Sequence, residues 1–254
     1  MTQTHHQFVS TAYGPRARDY LTSAVHSGGE DLDLIEARVR GHAQARALDL
    51  GCGGGHVAYR VAPHVAEVVA VDLSQQMLDT VMSTAIERGL TSVHVQQGKA
   101  ESLPFDSGRF DFVLSRFSAH HWRDLDAGLR EARRVMANEG LAILVDSVAP
   151  GTALLDSHLQ TLELLRDASH VRNYTAAEWV TALARAGFEV TALHSRRIRI
   201  EFSTWVARTR TPALLTEAIR QFQQHAPEEV QAHFGFEADG SFMLDAVCFE
   251  ARAS

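Results

Sequence analysis

The chain has 254 residues, of which 45% are hydrophobic and 22% are charged, and these values are typical of a globular protein with a large buried core. Its formal net charge of −7 at pH 7 argues against a nucleic-acid partner, because proteins that bind nucleic acids usually carry a basic face. The sequence has no apolar run of about 18 residues and no apolar signal-peptide core, so we expect a cytoplasmic protein without membrane insertion.

The predicted elements begin with a largely helical segment over residues 1–45, followed by alternating short strands and helices over residues 46–148. Five apolar, β-rich runs predict strands: RALDL, VVAVDL, VHVQQG, FDFVLS and LAILVDS. The stretches between them carry apolar residues at helical spacing: HVAYRVAPHV, SQQMLDTVMSTAIERG and DLDAGLREARRVMANEG. This alternation predicts a parallel sheet covered by helices on both faces, a doubly wound α/β fold.

The last part of the chain, over residues 150–240, is predicted to form a mostly helical cap. Two further strands are predicted at 188–202 and 241–252, separated by a helical insertion, and they bring the predicted strands to seven. No repeat or Pro/Gly-rich linker divides the sequence, so residues 1–254 are interpreted as a single domain.

The glycine-rich stretch ALDLGCGGGHVAYRVA joins the first predicted strand to a helix. A loop in this position presents free backbone N–H groups, and glycines let a ligand approach that backbone. Gly51, Gly53 and Gly55 follow a G-x-G-x-G spacing, whereas a pyrophosphate is cradled by G-x-G-x-x-G. Asp49 would repel a pyrophosphate but suits an ammonium group, so the stretch favours S-adenosylmethionine. A tight turn without a ligand is the structural alternative.

Asp72 ends the second predicted strand, in VVAVDLS. A carboxylate at this place can accept hydrogen bonds from both ribose hydroxyls of a bound nucleoside, and Leu73 and Met77 are placed to pack against its adenosine. The alternative is an acid that only stabilises the N-terminus of the next helix.

Four motifs, in this order along the chain, resemble those of the class I S-adenosylmethionine-dependent methyltransferases: LDLGCGGG, VDLS, GKAESLPFDSGRFDFVLSRFSAHHW and REARRVMANEGLAILVD. The sequence is most similar to the small-molecule branch that contains the ubiquinone/menaquinone C-methyltransferases. The resemblance implies a Rossmann-like, mostly parallel seven-stranded sheet with a helical cap. It also implies a methyltransferase that turns S-adenosylmethionine into S-adenosylhomocysteine while methylating a small molecule. Whether the protein forms a homodimer is left open.

The loop, the strand ends and the resemblance together give a predicted cofactor site, with Asp49 near the methionine amino group, Asp72 on the ribose and Ala100 at the adenine. Its predicted members are Tyr20, Asp49, Gly51, Cys52, Gly53, Gly55, Asp72, Leu73, Met77, Lys99, Ala100, Glu101, Ser115 and Arg116. Lys99 departs from the family pattern, in which an acid often accepts the adenine amino group, because a lysine only donates. The resemblance also implies that residues 1–45 form a lid.

The stretch SAHHW places His120 and His121 directly after the fourth predicted strand, where the site should open. Both are candidate catalytic residues because an imidazole titrates near neutrality and can act as a base or orient an acceptor. Packing against Trp122 is the structural alternative. Methyl transfer needs a base only where the acceptor must lose a proton, and otherwise it relies on in-line positioning.

Three residues are candidate acceptor contacts: Tyr13, His120 and Arg172. Arg172 is included because a guanidinium binds anionic or polar groups, although an arginine is most often a solvated surface residue. The spacing of histidines and acids does not indicate a metal site.

Two other classes of protein stay open. One is a sensor or partner protein that binds S-adenosylmethionine without transferring its methyl group. The other is an NAD-dependent oxidoreductase, against which the glycine spacing and Asp49 argue.

Overall fold

The computed structural model describes residues 3–14 and 28–254 of the chain. Its centre is a seven-stranded sheet with the strand order β3-β2-β1-β4-β5-β7-β6. The strands are β1 Arg46–Leu50, β2 Glu67–Asp72, β3 Val93–Gln97, β4 Phe110–Arg116, β5 Met136–Ser147, β6 Phe188–Ile200 and β7 Phe242–Ala253. Strands β1 to β5 run parallel, while β7 is antiparallel to both β5 and β6. The predicted fold class is therefore confirmed.

Helices cover both faces of this sheet and one end of it. The α-helices that the structure describes are α1 His5–Tyr13, α2 Glu30–Val39, α3 His56–Val61, α4 Gln75–Glu87, α5 Leu125–Val135, α6 Ala153–Arg166, α7 Ala176–Arg185, α8 Phe202–Thr209, α9 Ala213–Gln224 and α10 Glu228–Phe234. Local sequence sets several helix starts. For example, the Ser74 side chain accepts a hydrogen bond from the Met77 N–H, as an N-cap does.

One predicted boundary is wrong. The sequence predicts a helix over residues 124–140, but α5 ends at Val135 and β5 begins at Met136. Residues 136–140 extend the strand because Met136 pairs with Phe110 on β4, before the register shifts to the Leu141–Phe112 pair. Tertiary pairing therefore overrides the helical periodicity at this point.

Successive side chains along each strand point to opposite faces of the sheet, so each strand contributes to two cores, one on each face. Leu48 and Leu50 on β1 belong to the core beneath α5 and α7, whereas Ala47 belongs to the core beneath α2, α3 and α4. This arrangement leaves the carboxyl ends of β1, β2, β4 and β5 together at one edge of the sheet.

A third core belongs to the cap, which is formed by α6, α8, α9 and α10 over the ends of β6 and β7. Trp205, Phe234 and Phe242 are almost fully buried in it. The cap therefore has its own apolar support and stands beside the carboxyl edge. Across residues 3–14 and 28–254, no helix has the length and apolar character needed to cross a membrane.

Candidate active site

A cleft opens at the carboxyl edge of the sheet, near β1 and β4, where the strand order reverses and α/β proteins commonly bind ligands. It has an empty volume of about 1510 Å³, counting the solvent-filled space at its mouth. Its walls come from the glycine loop, the end of β2, the turn after β4, helix α1 and the cap. The sequence-predicted members of its wall are His120, His121, Tyr13, Asp49, Gly51, Cys52, Gly53, Asp72, Leu73, Met77, Ala100, Glu101 and Arg116.

The glycines of the loop have different physical roles. Gly51 has φ +72°, and a Cβ on it would lie 1.8 Å from the Ser118 Oγ, so only glycine fits there. Gly53 has φ +49° with open space where a Cβ would stand, which leaves its backbone accessible from the cleft. Gly55 is not in the cleft wall. It begins α3 in the left-handed conformation, and Tyr59 fills the space beside it.

Asp49 lies at the base of the cleft and is 1% exposed. Its Oδ2 accepts a hydrogen bond of 3.0 Å from the Ala58 N–H, so the carboxylate also fixes the first turn of α3. Burial, reinforced by the negative charge of Asp72, raises the pKa of Asp49 to about 7. A cation bound nearby would favour the ionised form of Asp49.

Asp72 ends β2 and ties it to the glycine loop. Its Oδ2 accepts from the Gly53 N–H at 3.0 Å and its Oδ1 from the Ser74 N–H at 2.9 Å. Burial raises the pKa of this carboxyl, although the backbone hydrogen bonds act in the opposite direction. The side chain is therefore held at the cleft wall by the backbone on both of its sides.

The side of the cleft next to Asp72 is apolar with one acid. Leu73, Met77 and Ala100 line it, and the Glu101 Oε1 accepts a hydrogen bond of 2.9 Å from the Arg123 N–H. Lys99 does not line the cleft, since it is exposed and pairs through its backbone with Ser102. Its predicted cofactor contact is therefore not supported by its position.

Two predicted residues at the end of β4 have structural partners. The Ser115 hydroxyl lies outside the cleft wall and donates a 2.8 Å hydrogen bond to the Leu50 carbonyl, which joins β4 to β1. Arg116 lines the cleft, but its buried guanidinium makes an ion pair with Asp31. Arg196 contacts the same carboxylate at 2.8 Å, so this corner is a buried charge network rather than an anion site.

The two adjacent histidines have different surroundings. The Nδ1 of His120 lies 2.5 Å from the Asp146 Oδ1 at the end of β5. His121 has both ring nitrogens occupied, with Nδ1 3.1 Å from the Ser169 carbonyl and Nε2 2.9 Å from the Tyr13 hydroxyl. Burial, together with the charge of His120, lowers the pKa of His121 to about 3, so its ring is neutral near pH 7. For His120, burial opposes the charged form, but Asp146 outweighs it and raises the pKa.

Helix α1 lies over the mouth of the cleft. The Tyr13 hydroxyl donates to the Asp167 carboxylate and contacts His121, and the His5 Nε2 lies 3.1 Å from the His121 carbonyl. At the other end of the cleft, His6 contacts the Glu101 carboxylate at 3.2 Å. Tyr20, the other predicted lid residue, lies outside the described residues.

Arg172 is not brought to the cleft. Its guanidinium pairs with Asp156 on α6 at 2.9 Å and with Glu178 on α7 at 3.6 Å, and none of the three residues lines the cleft. The predicted acceptor contact is therefore corrected to a surface ion-pair network, which is the more usual use of an arginine.

Sequence reasoning missed several residues of the cleft. Ser147, which ends β5, is one of them. Asp146 precedes it and contacts His120 rather than lining the cleft, and its place near the end of a predicted strand, like that of Asp49 and Asp72, was a usable signal. Others have no local signal, because folding alone brings them from the cap: Glu163, Arg166, Ile198, Ile200, Trp205, Arg208 and Leu244.

The fold and the cleft together define a class of protein. A doubly wound sheet carries a glycine loop in the cleft wall after β1 and an acid, Asp72, at the end of β2. The cleft wall beside this loop includes the carboxylates of Asp49 and Asp72 and the ion-paired Arg116. These carboxylates suit a cationic nucleoside better than a pyrophosphate. Methyltransferases that use S-adenosylmethionine bind such a nucleoside.

Comparison with known proteins agrees with this class. Residues 48–144 match the family model described as "Methyltransferase domain". The chain is 45% identical to YafE of Escherichia coli (strain K12) over 202 residues, which are 80% of this chain and 98% of YafE. It is 35% identical over 224 residues to the methyltransferase YcgJ of Bacillus subtilis (strain 168), covering 88% of each chain. The crystal structure of YcgJ superposes with a TM-score of 0.84 and covers 88% of this chain and 98% of YcgJ.

The chain belongs to the class I S-adenosylmethionine-dependent methyltransferases. The resemblance inferred from the four sequence motifs is confirmed, and the protein is a methyltransferase enzyme.

Proposed function

We propose that this methyltransferase acts on a small, partly apolar acceptor, which it holds in line with the methyl group of S-adenosylmethionine. The observation that carries the proposal is the continuity of the cleft. One uninterrupted wall runs from the glycine loop and Asp72, past His120, to the apolar side chains of the cap. Donor and acceptor can therefore lie side by side.

The chain's own residues fit the cofactor at one end of this cleft. Asp72 would hold the ribose hydroxyls, the accessible backbone at Gly53 would receive the methionine moiety, and Asp49 would face its ammonium group. Leu73 and Met77 would pack against the adenosine. When bound, S-adenosylmethionine supplies a methyl group made electrophilic by its sulfonium.

The other end of the cleft suits a compact organic molecule. Trp205, Ile200 and Leu244 give it an apolar wall, and Glu163 with Arg166 adds a polar corner. The cap and α1 both contribute walls to this cleft, which limits the size of an acceptor. The enzyme would contribute to the rate mainly by holding the acceptor in a near-attack position.

The size of the acceptor can be tested directly. We expect the purified protein, given methyl-tritiated S-adenosylmethionine and a cell extract, to place label in molecules that pass a filter of about 1 kDa. An Asp72→Ala variant, deprived of its ribose ligand, is the control for background transfer. Label found only in protein or nucleic acid would contradict the proposal.

The cofactor can be tested separately by calorimetry. We expect S-adenosylhomocysteine to bind and NAD to give no measurable heat, because the loop lacks the glycine spacing that receives a pyrophosphate. Binding of NAD alone would overturn the proposed donor.

A further inference from the structure

The position of His120 in the cleft is fixed from several directions. It lies in the one-turn 3-10 helix Ala119–His121 that follows β4. Its Nδ1 is 2.5 Å from the Asp146 Oδ1, and its backbone N–H donates to the Asp146 Oδ2 at 3.1 Å. Its carbonyl accepts from the Val171 N–H at 2.8 Å. The imidazole therefore has little freedom to rotate away from the carboxylate.

Asp146 is equally constrained. Its side chain is 2% exposed, and its Oδ1 also accepts a 2.8 Å hydrogen bond from the Ser147 N–H. Strand β5 carries this residue between β4 and β7, in the interior of the sheet. Such a carboxylate can hold one tautomer of the ring and stabilise the imidazolium that forms when the ring takes a proton.

The remaining ring nitrogen of His120 is available to a ligand. Within the part of the chain that the structure describes, Nε2 makes no hydrogen bond, and the residue lines the same cleft as the glycine loop. His121 has no such nitrogen, because Ser169 and Tyr13 occupy both of its own. Of the two histidines proposed from sequence, only His120 has the geometry of a base.

The charged and titratable groups around His120 come from four elements. Asp146 faces it from β5, and Glu163 and Arg166 act on it from α6. His121 and His170 lie beside it, with ring centroids at 4.3 and 5.5 Å. Burial lowers the pKa of His121 and that of His170 to about 3, so near pH 7 both rings are neutral and Asp146 contributes the dominant charge.

We propose that His120, oriented by Asp146, is the general base of methyl transfer, and that the acceptor is a molecule that must lose a proton, a hydroxyl compound or a carbon acid. This inference rests on the proposed function. The acceptor's O–H or C–H bond breaks and its electron pair forms the new bond to the methyl carbon. The sulfur keeps the electrons of the broken C–S bond, and the proton goes to the His120 Nε2. A thioether or tertiary amine would need none of these arrangements.

Histidine-selective nitrogen-15 NMR tests the pair without knowing the acceptor. With S-adenosylhomocysteine bound, we expect neutral His120 to carry its proton on Nδ1, and Asp146→Asn to lower the pKa of His120. His158→Gln is the matched control, since His158 stacks on Phe222 outside the cleft. A proton on Nε2 in the neutral ring would overturn the proposal. An unchanged pKa of His120 in the Asp146→Asn variant would also overturn it. Failure of S-adenosylhomocysteine to bind would instead contradict the proposed function.

The charge of the labelled product gives a second, independent reading. An acceptor that loses a proton keeps its net charge after methylation, whereas a methylated thioether or tertiary amine gains one positive charge. We expect electrophoresis to show no gain of charge, and we expect His120→Gln to slow labelling by about 100-fold or more. A permanently cationic product would overturn the assignment of His120 as the base.

Discussion

The proposed donor half and the proposed acceptor half of the cleft are built in different ways. The donor half, from the glycine loop to Glu101, comes from one continuous stretch of about 50 residues, and much of its contact surface is backbone. The acceptor half combines the turn after β4, the end of β5, helix α6 and the strands and helix of the cap. A site for S-adenosylmethionine that is built from backbone keeps the same shape when side chains change. The acceptor half can gain a different specificity through side-chain substitutions alone.

The largest expected effect tests whether the donor half depends on backbone shape. Gly51→Ala places a Cβ 1.8 Å from the Ser118 Oγ at φ +72°. We expect this substitution to weaken binding of S-adenosylhomocysteine by about 100-fold or more, because strain in the left-handed region and the clash both displace the loop. Calorimetry measures the loss.

Gly108→Ala is the matched control for backbone strain. Gly108 has φ +70°, but a Cβ added there would meet no atom within 4 Å, and the residue lies outside the cleft. We expect this substitution to lower the free energy of unfolding by about 1–2 kcal/mol without changing affinity. Equal losses of affinity in the two variants would show that the loop's shape is not the cause.

The next effect concerns a side chain of the donor half. Asp72→Ala should weaken binding of S-adenosylhomocysteine by about 10- to 150-fold, since hydrogen bonds to a charged group contribute about 1.5–3 kcal/mol. Asp79→Ala is the control, because Asp79 is exposed on α4 and bonds only to Gln75 among the described residues. Unchanged affinity in the Asp72 variant would remove this residue from the site.

These two predictions show what sequence could and could not provide. The five parallel strands, the glycine loop and Asp72 were predictable because apolar periodicity and glycine spacing are local properties. The end of α5 was not, because Met136 leaves the helix only to pair with Phe110. The partners of His120 were not either, since Asp146 and Glu163 reach it only through the folded sheet and cap. Lys99, Ser115 and Arg172 took surface or structural positions that motif spacing does not distinguish.

A smaller effect should appear as a pH dependence of the donor half. Because burial raises the pKa of Asp49 to about 7, this carboxyl is increasingly protonated below that pH. A ligand with an ammonium group binds the ionised carboxylate of Asp49 better than the neutral acid. The affinity for S-adenosylhomocysteine should therefore fall by up to about tenfold per pH unit as the pH drops below 7. Asp49→Asn should abolish this dependence. A flat profile in the wild type would contradict the assigned contact with the ammonium group.

The smallest effect tests whether α1 joins the two halves as a lid. Tyr13→Phe removes the hydroxyl that bridges His121 and Asp167, so it should weaken binding of S-adenosylhomocysteine by only a few-fold. It should also speed hydrogen exchange over residues 5–13. Tyr174→Phe is the control, because Tyr174 packs against the core beneath α7 and lies outside the cleft. If adding S-adenosylhomocysteine to the wild type leaves hydrogen exchange in α1 unchanged, α1 is not a lid.

In the proposed arrangement, donor and acceptor share one cleft and meet beside His120. A crystal structure of the complex with S-adenosylhomocysteine tests it most directly. We predict the ribose hydroxyls on Asp72, the amino-acid moiety over Gly51 and Gly53, and the sulfur directed toward the His120 side of the cleft. A sulfur that faces away from His120 and the cap would contradict the claim, as would a ligand bound elsewhere on the molecule.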